Sequence, residues 1–300
     1  YMLEVIQANK FKWTHILSPS EEDLNFIKNN YNFHLLDIED CKTRIQRPKI
    51  DIYDDYYFLI LHFPWFEGLN VITKEIKIFL GKDYIITIGF SEWLVKELFN
   101  KVSNDKVLLN NLLSETSDKL LYYILEKLLN ESLSIVNKIE SEIELINKNL
   151  FSRNTELIIE KISITRRNII FINTIFKPEL KLFQKFETGE IGFDKDMGVY
   201  WGNIIDFYQR LWDMIEDQHE LIEGLSKTFD SLQTNRTNEI IKILTFFSSI
   251  ILPLTFITGI YGMNINLPFQ ENELAFWLLS LIMLFVVVLL LLFFKRKRWL

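Results

Sequence analysis

The chain has 300 residues, 49% of them hydrophobic and 25 of them Phe, which excludes a disordered or low-complexity protein. Its 33 Lys and Arg stand against 40 Asp and Glu, a net charge of −7, which argues against a nucleic-acid backbone as partner. Cys41 is the only cysteine and there are four histidines, so a disulfide scaffold and a Cys/His zinc site are both out.

The N-terminal stretch to Lys12 mixes charge with isolated apolar residues and shows no signal-peptide pattern. A start at Tyr1 rather than Met reads as a missing native N-terminus. Ser20-Glu21-Glu22-Asp23 predicts a capped short helix to Asn30, and Ser91 predicts the cap of another. Between them, Ile50–Phe66 and Val71–Phe90 are rich in Ile, Tyr, Phe and Val, and Gly81-Lys82-Asp83 splits the latter into two strands. Lys119–Leu150 and Thr155–Phe186 carry apolar residues at three- and four-residue spacing and predict two antiparallel helices, the second kinked or ended by Pro178. Glu140, Glu142 and Glu144 read as a solvated face. Asp194-Lys195-Asp196 opens like a calcium loop, but Ile205 occupies the position of the closing glutamate, so it reads as a turn. Ile204, Tyr208, Leu211, Ile215, Gln218, Ile222, Leu225, Phe229 and Leu232 alternate by four and three, which predicts one helix of roughly 60 residues, about 90 Å, entering a membrane.

Two membrane segments follow. Ile243–Gln270 has 28 residues without a charge, and Leu274–Phe294 has 21 with Ser280 as its only polar side chain. Roughly 20 apolar residues at helical rise cross a bilayer. The short connection makes a hairpin, and Lys295–Arg298 places the C-terminus, and with it the N-terminus, in the cytoplasm. The body up to Asn238 holds 28 basic against 37 acidic residues, while Glu271 and Glu273 face outward in the loop, where they attract cations or merely solubilise.

Asn238, Ile241, Thr245, Ser248, Leu252, Thr255 and Gly259 advance by three and four along the first span, and five of these seven are polar or small. Such a stripe faces protein or water rather than lipid, so it is either a helix-packing face or a water path. A water path requires several copies in a ring, with Ile241 and Leu252 as apolar collars and the polar members hydrogen-bonded to an ion's hydration shell. Pro253 loosens the backbone mid-membrane.

At the outer end stands Tyr261-Gly262-Met263-Asn264. Gly-Met-Asn after the first span, a short loop, a second span and the tail Lys-Arg-Lys-Arg-Trp-Leu, together with Arg47-Pro48-Lys49 and Thr237-Asn238-Glu239, resemble the CorA-type magnesium transporter family over most of the chain. The resemblance implies a funnel-shaped homopentamer whose long helices line the pore, Tyr261 at its outer end. It implies that Gly262, Met263 and Asn264 form the outer filter, five Asn264 side chains holding a hydrated Mg²⁺ by its water shell. That agrees with the reluctance of Mg²⁺ to dehydrate. Asn238 matches a polar ring of the family at the inner face, and Leu244 a narrow position half a turn off the stripe. One residue departs: where the family has a carboxylate for a regulatory Mg²⁺ between subunits, this chain has Lys227, and Asp230 is the candidate substitute.

The expectation is thus an α+β chain: a cytoplasmic α/β domain over 1–118, a helical pair over 119–188, a stalk helix over 199–261 with its membrane part at about 243–261, a loop over 262–273, a second span over 274–294 and a basic tail over 295–300. It is a multi-pass protein of the cell membrane whose partners are its own copies, membrane lipid and divalent cations. Mg²⁺ is both cargo and regulator, and neither an organic cofactor nor an enzymatic constellation is read. The expected function is passive Mg²⁺ uptake gated by intracellular Mg²⁺. The alternatives are a zinc or broader Co²⁺/Ni²⁺ transporter on the same scaffold, or a non-conducting membrane-anchored sensor.

Overall fold

The structure, a computed structural model, describes residues 3–8, 11–43, 46–105, 107, 109, 112, 116–151, 154–189, 191–263 and 273–297. It divides into two compact units, with the boundary between Leu225 and Ser226.

The first unit is built on a mixed sheet of β1 (Leu3–Ala8), β2 (Phe11–Leu17), β3 (Lys49–Ile52), β4 (Tyr56–Glu67), β5 (Asn70–Gly81) and β6 (Tyr84–Gly89), in the order β1-β2-β6-β5-β4-β3. Among the described strands only β2 and β6 pair in parallel. Helices α1 (Glu21–Asn30) and α2 (Leu35–Asp40) cover one face through a core that includes Leu24, Ile27, Phe33, Ile38, Phe58, Ile60, Phe79 and Ile86. On β4 and β5 pack α4 (Ser117–Asn149) and α5 (Thr155–Glu187), and α3 (Leu94–Asn104) packs on α4. With both faces covered, β4 is buried without alternation from Phe58 to Pro64.

Ser20 caps α1 as expected: its Oγ accepts from the Asp23 N–H at 3.1 Å, and Asp23 returns the bond to the Ser20 N–H at 3.0 Å. Ser91 does not cap α3. That helix starts at Leu94 after Trp93, and the Ser91 Oγ accepts from Lys74 Nζ at 3.0 Å instead. The stretch Ile50–Phe66 is also divided, because Tyr53–Asp55 turns the chain between β3 and β4. Strands β1 and β2 carry little sequence signal. In β2, the polar Thr14 and His15 are nonetheless buried, and His15 Nδ1 meets Thr87 Oγ1 at 2.9 Å. Glu140 and Glu144 are exposed, but a two-residue step on a helix turns Glu142 to another side, where it is half-buried and its carboxyl is pushed up by burial.

Pro178 neither ends α5 nor stands alone in it. The next residue, Glu179, is fully buried and its carboxylate accepts from the His62 backbone N–H, on β4 beyond the end of β3, and from the Tyr208 hydroxyl at 3.0 Å. The carboxylate therefore satisfies a strand N–H left without a sheet neighbour. Asn168 does the same for the β4–β5 turn, accepting from the Val71 N–H at 3.0 Å and donating to the Leu69 carbonyl at 2.8 Å.

After a 3₁₀ turn at Lys195–Met197, capped by Asp194 accepting from the Asp196 N–H at 3.0 Å, helix α6 runs unbroken over Gly198–Tyr261. Its heptad positions Ile204, Tyr208, Leu211, Ile215, Gln218 and Ile222 are buried within the first unit. Gln218 donates from Nε2 to the Val136 carbonyl on α4 at 3.0 Å, so even the polar member of the stripe is an interior residue.

The second unit comprises α6 from Ser226 onward and α7 (Glu273–Arg296). Both helices are long and apolar enough to cross a membrane, and neither apolar window is buried.

Candidate functional site

Helix α6 in the second unit has two unlike faces. Phe246, Ile250, Pro253 and Ile257 are partly covered, as are Leu279, Met283, Val286 and Leu290 on α7, and the Phe246 and Phe294 rings meet edge-on at 5.2 Å. At about 100° per residue, the covered line of α6 lies roughly 150° from the line through Asn238, Ile241, Thr245, Ser248, Leu252, Thr255 and Gly259. On that second line every residue except the half-buried Ser248 is exposed, Ile241 at 52% and Leu252 at 67%. The same helical geometry puts Leu244 only about 60° from Ile241, not half a turn away, so it flanks the line. The leucine is 66% exposed. Asp230 precedes Leu244 by 14 residues and occupies the same flank.

The chemistry of the line is one-sided. Thr255 Oγ1 donates to the Ile251 carbonyl at 2.8 Å, and lower on the same face Ser231 Oγ and Thr234 Oγ1 donate to the carbonyls of Lys227 and Asp230 at 3.0 and 2.9 Å. A hydroxyl whose proton is held by its own helix turns only lone pairs outward. Such a surface accepts hydrogen bonds from water whose hydrogens point away from a central cation. Ser231 and Thr234 were absent from the sequence reading. They continue its three-and-four spacing, which was the available signal, whereas the direction of the hydroxyl protons was not readable.

The C-terminal end of the helix is closed by the Gly262 N–H donating to the Thr258 carbonyl at 2.8 Å and the Met263 N–H to the Ile260 carbonyl at 3.2 Å. Tyr261, Gly262 and Met263 are all exposed. Asn264 and Glu271 lie outside the described residues. Glu273 is the first residue of α7. Among the described residues no three His, Cys, Asp or Glu side chains converge as a metal cluster. Asp230 has no such companions among the described residues, and the Lys227 ammonium is no metal ligand at all.

Buried charge in the first unit is structural. Lys77, fully buried, donates from Nζ to the Thr43 carbonyl at 2.6 Å and pairs with Glu75 at 2.9 Å, and Glu75 also accepts from the Gln46 N–H at 2.6 Å. Burial opposes ionisation of Glu75, but the hydrogen bonds of His62 and Lys77 outweigh it and hold the carboxyl below its ordinary range.

A model of the family described as CorA-like Mg²⁺ transporter protein matches residues 8–296. The chain belongs to this family. It is 27% identical over 255 residues to the putative metal ion transporter YfjQ of Bacillus subtilis, covering 85% of this chain and 78% of that one. To the cobalt/magnesium transport protein CorA of Thermotoga maritima it is 26% identical over 276 residues, covering 90% of this chain and 78% of the relative. Among solved structures, the CorA magnesium transporter from Methanocaldococcus jannaschii superposes with a TM-score of 0.84 at 22% identity, over 98% of this chain and 93% of that one. The CorA family is a family of transporters rather than of enzymes, and the fold of this chain, an α/β domain, a long helix and two apolar C-terminal helices, is the fold of the full-length CorA structure.

Proposed function

We propose that this chain is a homopentameric channel of the cell membrane that admits hydrated Mg²⁺ passively into the cytoplasm. The observation that carries the reading is the line on α6 along which Thr255, Ser231 and Thr234 hold their hydroxyl protons on helix carbonyls and turn acceptors outward, set on the side away from α7. Two spans per copy enclose no water path, so the line has to be completed by the same line of other copies, with α7 toward lipid. The alternative role for such a stripe, close packing between membrane helices, is disfavoured by Ile241, Leu244 and Leu252 on or beside it, whose bulk keeps backbones apart.

In this arrangement an ion with its water shell meets the Asn264 amides first, held by outer-sphere hydrogen bonds because Mg²⁺ sheds water reluctantly. It then passes Thr255, Ser248 and Thr245, which accept from the shell, and the collars Leu252 and Ile241, which exclude water when closed. Asn238 completes the passage at the inner face. Inward movement needs no coupled reaction, since each charge gains about 2.3 kcal/mol per 100 mV of membrane potential and a divalent ion twice that. The cobalt named for two of the relatives and the acceptor chemistry of the line extend the cargo to Co²⁺, another divalent cation of oxygen-shell hydration.

Both termini are cytoplasmic, with Lys295, Arg296 and Lys297 at the inner face. Intracellular Mg²⁺ gates the channel through Asp230, whose remaining ligands come from a neighbouring copy or from water. The deciding experiment is Mg²⁺-dependent flux by the purified protein in liposomes, measured beside its subunit count. Five copies and flux support the reading; an intact pentamer without flux of any divalent cation leaves the non-conducting sensor.

A further inference from the structure

We propose that Glu179 and Tyr208 form a proton-operated latch on the long helix: with a proton on the carboxyl it fastens the first part of α6 to α5 and β4, and loss of that proton releases it. The three elements meet at this one side chain. Glu179 comes from α5, takes the His62 N–H of β4 on Oε1 and faces the Tyr208 hydroxyl of α6 with Oε2 at 3.0 Å. Both side chains are fully buried, and the Phe176 and Phe183 rings pack on the Tyr208 ring with centroids 5.7 and 4.7 Å away.

Among the described residues no cation pairs with this carboxyl. On β4 the His62 imidazole turns to Glu75, its Nε2 lying 3.2 Å from Oε2. On β5, Lys77 and Glu75 pair with each other at 2.9 Å, and on β3 Lys49 pairs with Asp40 at 2.8 Å. Lys177 and Lys181 of α5, like Asp206 and Arg210 of α6, are exposed. What acts on Glu179 is burial, countered by the His62 N–H and the Tyr208 hydroxyl, and the carboxyl is pushed up to about 8.

The proton has one place to sit. Oε1 faces a donor, so the neutral carboxyl carries its proton on Oε2 and donates it to the Tyr208 oxygen. The ionised form leaves a full charge in an apolar site held by two neutral donors. An opened site gives that charge to water, so ionisation and opening favour each other. A carboxyl raised by burial keeps the closed form at low pH and gives it up as pH rises, by up to about tenfold in the ratio of open to closed per pH unit. Because α6 runs unbroken from Gly198 to Tyr261, the latch acts on the same helix that carries the polar line.

The test is hydrogen exchange of the full detergent-solubilised chain at about pH 6.5 and about pH 8.5, corrected for intrinsic rates, with Mg²⁺ flux in liposomes beside it. In wild type the amides around Glu179 and Tyr208 are expected to lose about tenfold in protection between the two values. Glu179→Gln copies the neutral carboxyl, its amide donating to the Tyr208 oxygen and its carbonyl accepting from His62, so its protection is expected to be the same at both. Tyr208→Phe removes the acceptor and is expected to exchange faster already at the lower pH. Flux of wild type and Glu179→Gln is expected to be equal at the lower pH and to differ about threefold at the higher one. The proposal is overturned by wild-type protection that does not fall with pH, by an equal fall in Glu179→Gln, or by a flux ratio that is the same at both values. The flux arm rests on the conduction reading above. Absence of flux in every form, with the oligomer intact, brings down that reading, and the exchange data then decide the latch on their own.

Discussion

Tyr208 on α6 donates its hydroxyl to the Glu179 carboxylate on α5 at 3.0 Å, in a site where both side chains are fully buried. Burial pushes the Glu179 carboxyl up to about 8, only partly countered by the His62 N–H and the Tyr208 hydroxyl, and it pushes the Tyr208 phenol up as well. A carboxyl raised by folding contributes stability that is complete below its unfolded range and is lost as pH rises through its folded value. The expected outcome is a thermal midpoint that falls as pH rises from about 5 to about 8. Glu179→Gln keeps an acceptor for the His62 N–H and removes the titration. Its midpoint, followed by circular dichroism on the detergent-solubilised chain, should be flatter across the same window.

Asn264→Ala deletes the amide proposed to hold the hydration shell in every copy at once. Each lost hydrogen bond is worth about 1 kcal/mol, so the five together lower Mg²⁺ flux into liposomes at least about tenfold. Size-exclusion chromatography with light scattering should return an unchanged oligomer. Flux equal to wild type refutes the filter assignment.

Leu252→Asn replaces an apolar collar by a wettable one. If Leu252 excludes water from the closed passage, the barrier drops and flux rises, about fivefold for each 1 kcal/mol removed. A helix-packing leucine behaves differently: its replacement by Asn weakens the oligomer without opening anything. Flux per pentamer, rather than flux per milligram, separates the two.

Asp230→Asn tests the sensor. With a regulatory Mg²⁺ at this carboxylate, limited proteolysis of the wild-type chain is slowed several-fold by millimolar Mg²⁺ through mass action, and Asp230→Asn loses that protection. Cleavage of wild type that is indifferent to Mg²⁺ would sink the assignment.

Legibility in the sequence followed the range of the forces involved. Heptad spacing from Ile204 to Ile222 and the absence of charge from Ile243 onward act within a few turns of one helix, and they mark α6 and the two long apolar helical segments. Ser20 was equally legible, because a capping box is closed within four residues. Ser91 was not, because its hydroxyl is claimed by Lys74 from another strand. Strands β1 and β2 carry little local signal because the bond that accommodates buried His15 comes from Thr87 on β6, at a sequence separation of 72.

What the sequence by itself determined is the periodic part of this protein: the two apolar C-terminal helical segments, the long helix and the polar line along it, all consequences of 3.6-residue repetition and of the cost of charge in lipid. Only the tertiary structure decided which side of that helix α7 covers, that Ser231, Thr234 and Thr255 turn their lone pairs outward, and that Glu179 joins β4, α5 and α6 in one buried site. Those facts depend on where a donor finds its acceptor in space, and a hydrogen bond between distant residues leaves no period in the chain that makes it.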